Sequence, residues 1–258
     1  MFKLFAKKSL GQNFLINPGV VQKIIGAAEL KEDDTIVEVG PGTGILTKEL
    51  IKSRRVIAIE KDRRAVEGLR ADLPNVQIVE DDVLDFKPEE FDLRAGEYKI
   101  VANLPYYITS HFIRTVFENW PRPSLLVLMV QKEVAQRIMA TPPDMNLLAL
   151  SVQYFSKPEI IMNVSAGSFR PIPSVDSAVI KLVPQEKLPL LDTQREKLFL
   201  TWKAVFAGKR KQLINTAPAA LGLDKDQVSN LLTKFSINPT TRPENLSLQD
   251  WIALINSL

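Results

Sequence analysis

Apolar and polar positions along the chain follow two periods, and the switch between them lays out the architecture. Thr35–Val39, Arg55–Ile59 and Val76–Val79 are short apolar runs with strand character, and Leu46–Lys52 and Asp62–Asp72 between them carry helical spacing. That order is βαβαβ. A strand at Tyr98–Ala102, a helix over Ile108–Asn119 and the run Ser124–Val130 follow, the last so uniformly apolar that burial on both faces is expected. The pattern predicts an α/β fold with a doubly wound, Rossmann-like parallel sheet and a site at the carboxyl ends of its strands. Past Val183 the period changes. Pro184 and Pro189 bracket a linker, after which Thr193–Phe206, Lys209–Ala217, Lys225–Lys234 and Leu248–Ser257 all read as helices. Two domains are expected, residues 1–184 and a small all-helical domain over 185–258. The core of the second should hold Leu198, Trp202, Val205, Leu213, Val228, Leu231, Leu232, Trp251, Ile252 and Ile255.

Composition narrows the chemistry. The 258 residues include no cysteine and a single histidine, which removes disulfides, thiolate nucleophiles and zinc–thiolate sites and leaves no multi-histidine metal site. His111 falls early in an amphipathic helical stretch, where a surface or packing role is the ordinary one. No run of about 18 apolar residues and no signal-peptide pattern is present, so a cytosolic protein without a membrane span is expected.

The net charge is +3, and all of it lies in residues 185–258, where ten Lys/Arg face seven Asp/Glu. Lys187 to Lys211 carries seven of those bases. At the other end, Lys3, Lys7, Lys8 and Lys23 occur before the first acid. Two basic segments around a neutral middle suit a phosphate backbone. Each alone could equally be a solvated helix face.

Four strand ends carry candidate chemistry. Glu38-Val39-Gly40-Pro41-Gly42-Thr43-Gly44 leads from the first strand into the first helix, and its glycines let backbone approach a ligand. The spacing G-x-G-x-G, with Ile45 where a dinucleotide fingerprint would continue, and the lack of a Lys-Ser/Thr pair argue against both a nicotinamide site and a P-loop. Glu60 ends the next strand, placed to accept both hydroxyls of a ribose, and Asp82 follows the third strand, where it could accept from an adenine amine. Either could instead simply cap a turn. As a set they fit S-adenosylmethionine better than NAD. The last of them, Asn103-Leu104-Pro105-Tyr106, offers a carboxamide oxygen, a backbone carbonyl from residue 104 or 105 and an aromatic ring. That combination can hold a planar amine, most naturally adenine.

Taken in order, Leu10-Gly11-Gln12-Asn13-Phe14-Leu15, the glycine loop, Asn103–Tyr106, Gln131-Lys132-Glu133-Val134-Ala135, the segment from Phe169 to Val179 and Arg242-Pro243-Glu244-Asn245-Leu246-Ser247 resemble the ribosomal small-subunit RNA adenine dimethyltransferases, the KsgA family. The resemblance runs through most of the chain. It implies a methyltransferase fold, S-adenosylmethionine as cofactor, and N6,N6-dimethylation of adenosines near the 3′ end of small-subunit RNA during ribosome maturation. It further implies that Asn13 and Leu15 close over the methionine side of the cofactor, with Gly40 and Gly42 at its loop, Glu60 on the ribose, Asp82 on the adenine and Asn103 beside the methyl donor. Phe169 would pack against the flipped target base, opposite Tyr106. The expected partner is ribosomal RNA in the immature small subunit, met by a cytoplasmic monomer without a metal.

RNA contacts are expected from Lys7, Lys8, Arg114, Lys132, Arg137 and Lys209-Arg210-Lys211. Departures from the family occur at Met145-Asn146 and at Phe206-Ala207-Gly208-Lys209-Arg210-Lys211, both in RNA-facing or packing detail. The related macrolide-resistance enzymes, which act on large-subunit RNA, are an alternative that Leu104 and the Arg242–Ser247 segment disfavour. A non-catalytic RNA-binding assembly factor is another, disfavoured by the intact Asn103 and glycine loop.

Overall fold

The structure is a computed structural model that describes residues 4–7, 10–208 and 210–258, so the expectations placed on Lys3, Lys8 and Lys209 lie outside the described residues. In chain order the elements are β1 (Phe14–Leu15), α1 (Pro18–Ala28), β2 (Thr35–Val39), α2 (Thr47–Leu50), β3 (Arg55–Glu60), α3 (Arg63–Asp72), β4 (Gln77–Glu80), β5 (Tyr98–Asn103), α4 (Thr109–Asn119), β6 (Leu125–Gln131) and α5 (Lys132–Ile138). There follow α6 (Leu147–Phe155), β7 (Ser156–Val164), β8 (Phe169–Arg170), β9 (Ser177–Pro184), α7 (Asp192–Ala207), α8 (Leu213–Leu221), α9 (Lys225–Lys234) and α10 (Leu248–Asn256).

Seven strands form one sheet in the order β4-β3-β2-β5-β6-β9-β7. β4, β3, β2, β5 and β6 run parallel, whereas β9 pairs antiparallel with β6, Leu128 facing Ile180. The sheet is therefore mixed rather than all parallel. Neither β7 nor β9 figures among the strands read from the sequence, although Ala178, Val179, Ile180 and Leu182 of β9 are buried and apolar like the residues of β6. What no periodicity reveals is that β9 inserts between β6 and β7.

Strand order and register create the site. β2 lies between β3 and β5, and the chain winds one way through β3 and β4 and the other through β5 and β6, so the crevice at the carboxyl ends of β2 and β5 is a topological switch point. Val39 pairs with Ile59 on one side and with Ala102 on the other. One residue further along each strand stand Gly40, Glu60 and Asn103, level with one another on the sheet edge. Three loops far apart in sequence become one wall.

Helix α1 packs Val20, Val21, Ile24 and Ala28 into the core, and Asn17 starts it by accepting hydrogen bonds from Gly19 N (3.0 Å) and Val20 N (3.4 Å). Its far end is closed from outside the helix. Lys99 of β5, 8% exposed, donates to the carbonyls of Ala28 (3.2 Å) and Glu29 (2.7 Å) and to Asp34 Oδ2 (2.7 Å). The ammonium thus satisfies helix-end carbonyls and neutralises a carboxylate at once. Lys99→Ala should lower the unfolding free energy by about 3 kcal/mol in denaturant titrations, because it strands a part-buried Asp34 and two carbonyls together.

The chain divides into two compact units, Met1–Gln136 with Lys157–Pro184, and Arg137–Ser156 with Gln185–Leu258. This differs from an even cut at residue 184, because Arg137–Ser156 joins the C-terminal helices. The reason is α6. Its Tyr154 and Phe155 stack edge-on and tilted with Phe199 of α7 at centroid distances of 5.5 and 5.6 Å, and α10 packs on it as well. In this second unit Leu198, Trp202, Val205, Leu213, Val228, Leu232, Trp251 and Ile255 are buried. Leu231 and Ile252 are only half-buried, and Leu254 takes the inward position on α10 that Ile252 was expected to hold. Helix α8 starts later than its apolar spacing suggests and runs through Pro218 to an αL cap at Gly222.

Candidate active site

The wall at the switch point lines a cavity whose residues all belong to the first unit. Asn13, Gly40, Gly42, Glu60, Asn103, Leu104, Pro105 and Tyr106 line it, joined by Leu10, Gly11, Gln12, Phe14, Lys61 and Tyr107. Backbone glycine is required at the centre. Gly42 has φ +55° and a Cβ there would come within 3.0 Å of the Phe14 ring, while Gly40 has φ +66° and faces the Asn103 carbonyl. A side chain at either position would fill the space left for a ligand.

Glu60, 7% exposed, holds this loop from below. Its Oε2 accepts from Gly42 N (3.1 Å) and its Oε1 from Asp62 N (2.9 Å). Burial pushes the Glu60 pKa up and the two backbone N–H groups pull it back. Each oxygen keeps a further lone pair, which is what a vicinal diol needs from a carboxylate.

Glu38, at the start of the loop, has a different task. It is 1% exposed, and burial, opposed by nearby Thr47 and reinforced by repulsion from Glu60, raises its pKa to about 8. Among the described residues no hydrogen bond of proper geometry reaches either Glu38 oxygen, so desolvation dominates. The group is a neutral acid at pH 7, which spares Glu60 a second charge. Its folded pKa lies above the usual carboxylate value, so its part in stability is intact below about pH 4.5 and is lost as pH rises towards 8. Over that window the wild type should lose up to about 1.4 kcal/mol of stability per pH unit relative to Glu38→Gln, read from urea unfolding at several pH values.

Asn103 is anchored by the N-terminal arm. Its Nδ2 donates to the Asn13 carbonyl (3.2 Å), which fixes the amide and leaves Oδ1 as an acceptor. Among the described residues the Pro105 carbonyl already accepts from Ile108 N (3.2 Å), whereas the Leu104 carbonyl accepts nothing. Of the two carbonyls left open by the sequence, that of Leu104 has both lone pairs unused and that of Pro105 has one. Tyr106 is half-buried, its hydroxyl 2.7 Å from Ser177 Oγ, and burial raises its pKa, keeping it a phenol.

The arm itself is held by contacts that sequence reasoning did not assign. β1 pairs antiparallel with β8, Leu15 opposite Phe169. Gln12 accepts from Lys7 N (2.8 Å) and donates to Asp62 Oδ2 (3.0 Å). Asp62 also takes Arg64 Nε (3.0 Å) and a terminal guanidinium nitrogen (2.6 Å), and chiefly that pairing holds its pKa near 2. Only the position of Gln12 inside the Leu10–Leu15 motif hinted at this.

Three expected site residues stand elsewhere. Leu15 and Phe169 are buried in the hydrophobic core, 2% and 0% exposed. The Phe169 ring has no exposed surface in this structure and sits on β8 opposite Leu15 of the arm. Asp82 lies outside the lining. Burial pushes its pKa up, but the ion pair of Oδ2 with Lys61 Nζ (2.6 Å) and the bond of Oδ1 with Leu84 N (3.1 Å) outweigh that and leave it lowered. His111, Arg114, Arg137, Arg210 and Lys211 are exposed, and Lys132 is half-buried. Among the described residues no cluster of three or more His, Asp or Glu could hold a metal ion, and no helix is long and apolar enough to cross a membrane.

A family model described as ribosomal RNA adenine dimethylase matches residues 4–258. The ribosomal RNA small subunit methyltransferase A of Dehalococcoides mccartyi is 41% identical over 97% of this chain and 87% of its own length. That of Clostridioides difficile is 39% identical over 96% of this chain and 89% of its own. Among solved structures, a dimethyladenosine transferase from Plasmodium falciparum superimposes with a TM-score of 0.80 at 28% identity, over 95% of this chain and 96% of that one. The 23S rRNA methyltransferase ErmE does so with a TM-score of 0.78 at 25% identity, over 95% and 99%.

Proposed function

The chain belongs to the ribosomal RNA adenine dimethylase family, and from that premise we propose that it transfers methyl groups from S-adenosylmethionine to N6 of adenosines near the 3′ end of small-subunit ribosomal RNA, making N6,N6-dimethyladenosine. The observation that carries the reading is the level placement of Gly40, Glu60 and Asn103 across β2, β3 and β5. Superposition alone does not choose a subunit, since TM-scores of 0.80 and 0.78 are equivalent. Sequence does. Relatives named for the small subunit are about 40% identical over nearly the whole chain, well above the 25% of ErmE.

The residues present fit the cofactor. Gly40 and Gly42 leave backbone where a side chain would obstruct, Glu60 offers two lone pairs to ribose hydroxyls, and Asp82, beyond β4 on the same edge, would take the adenine amine in exchange for its bond to Lys61. When bound, S-adenosylmethionine supplies an electrophilic methyl group and a neutral thioether leaving group.

The chain supplies position. Asn103 Oδ1 and the Leu104 carbonyl accept the two N6 hydrogens, which draws the nitrogen out of conjugation with the ring and makes its lone pair available. Tyr106, held by Ser177, offers a ring face to the extruded base. The proton lost from nitrogen goes to water, so no general base is assigned. After the first methylation one hydrogen remains for Asn103, which lets the same site act twice.

On this reading the enzyme works in the cytoplasm as a monomer on immature small subunits, without a metal. Exposed Arg114, Arg137, Arg210 and Lys211 meet RNA phosphates, the last three from the second unit. Incubation with methyl-labelled S-adenosylmethionine and separate immature small and large subunits tests this. Labelled dimethyladenosine is expected in small-subunit RNA; label confined to large-subunit RNA, or none with folded protein, overturns it.

A further inference from the structure

Tyr107 has no part in the chemistry above. It follows Tyr106 on the 3₁₀ turn Tyr106–Ile108, where consecutive side chains diverge by about 120°. With Tyr106 tied to Ser177 in the cavity wall, Tyr107 is turned outward and is 64% exposed, yet it still lines the cavity alongside Lys61. Its hydroxyl makes no hydrogen bond among the described residues. One ring edge lies against Gly11, where φ is +60° and a Cβ would come 3.2 Å from Cδ1, so the arm passes the ring as bare backbone and leaves the rest uncovered.

A single exposed ring is ordinary on a protein surface, so its position rather than its exposure is what matters. Here it stands at the mouth of a cleft that receives one base of an RNA strand. Drawing that base inward breaks its stacking on the next nucleotide, which is then left at the mouth with a bare face. We propose that Tyr107 is the stacking platform for the nucleobase adjacent to the target adenosine, with the Lys61 ammonium on the same rim attracting the intervening phosphate. Aromatic stacking suits this position because it accepts any base, and the π face rather than the hydroxyl does the binding. The inference rests on the proposed RNA substrate.

Steady-state methylation of immature small subunits, with binding of S-adenosylmethionine followed by calorimetry, tests it. Tyr107→Ala should raise KM for subunits about 10-fold and leave cofactor affinity within twofold of wild type. Tyr107→Phe should restore KM, and Tyr107→Leu, apolar but without a π face, should not. Unchanged KM in Tyr107→Ala, or full rescue by Leu, overturns the proposal. So does weakened cofactor binding with normal KM, which would mean that the ring merely props Gly11. If wild-type protein methylates no small subunit, the substrate reading fails instead, and the two failures are distinguishable.

Discussion

Turnover of small subunits by Asn103→Ala is expected to fall by about 10²–10³-fold, the scale of losing one preorganised hydrogen-bonding group at a reacting atom. Binding of S-adenosylmethionine should change far less, because Gly40, Gly42 and Glu60 remain. The structure adds a sharper test in Asn103→Asp. The aspartate keeps an oxygen for the amine but replaces Nδ2, which donates to the Asn13 carbonyl at 3.2 Å, with a second acceptor. Two acceptors at that distance repel, so the ionised variant should be nearly as inactive as alanine, with partial recovery at low pH as the carboxyl protonates. Nucleoside mass spectrometry of the treated RNA gives the readout. Turnover in Asn103→Ala equal to wild type would remove Asn103 from the mechanism.

Glu60→Ala is the second. Calorimetry should show affinity for S-adenosylmethionine reduced about 100-fold or more, since the change deletes two acceptors for the ribose and leaves Gly42 N and Asp62 N without their partner, at about 1–3 kcal/mol for each buried donor. Glu60→Gln should fare little better. Whichever way its amide turns, an NH2 group points at one of two backbone donors. The wild-type pKa is raised by burial, so cofactor affinity should also decline as pH falls through it and one oxygen becomes a donor. Retained cofactor stabilisation in a thermal melt of Glu60→Ala would contradict this assignment.

The parts of the site legible in the sequence are those attached to strand ends. Gly40, Glu60 and Asn103 each follow an apolar run, and a parallel sheet brings consecutive strand ends to one edge whatever its exact strand order. The burial of Phe169 and Leu15 is not readable, because a motif gives a residue's neighbours along the chain, whereas burial here depends on β1 meeting β8 some 150 positions away. Gln12 and Asp62 are unreadable for the same reason. Asp62 looks like a helix cap, and it is one, yet it also grips the arm. That α6 groups with the C-terminal helices is not readable either, because its aromatics find their partners in α7, beyond three intervening strands.

The pairing of β1 with β8 also sets an order of events during synthesis. Residues 14 and 15 leave the ribosome early but have nothing to pair with until Phe169 and Arg170 emerge. The Asn13 carbonyl that orients Asn103 belongs to the same tethered stretch. A nascent chain with a finished parallel core can already set Gln12 against Asp62, but its arm gains its strand partner only once β8 has been made.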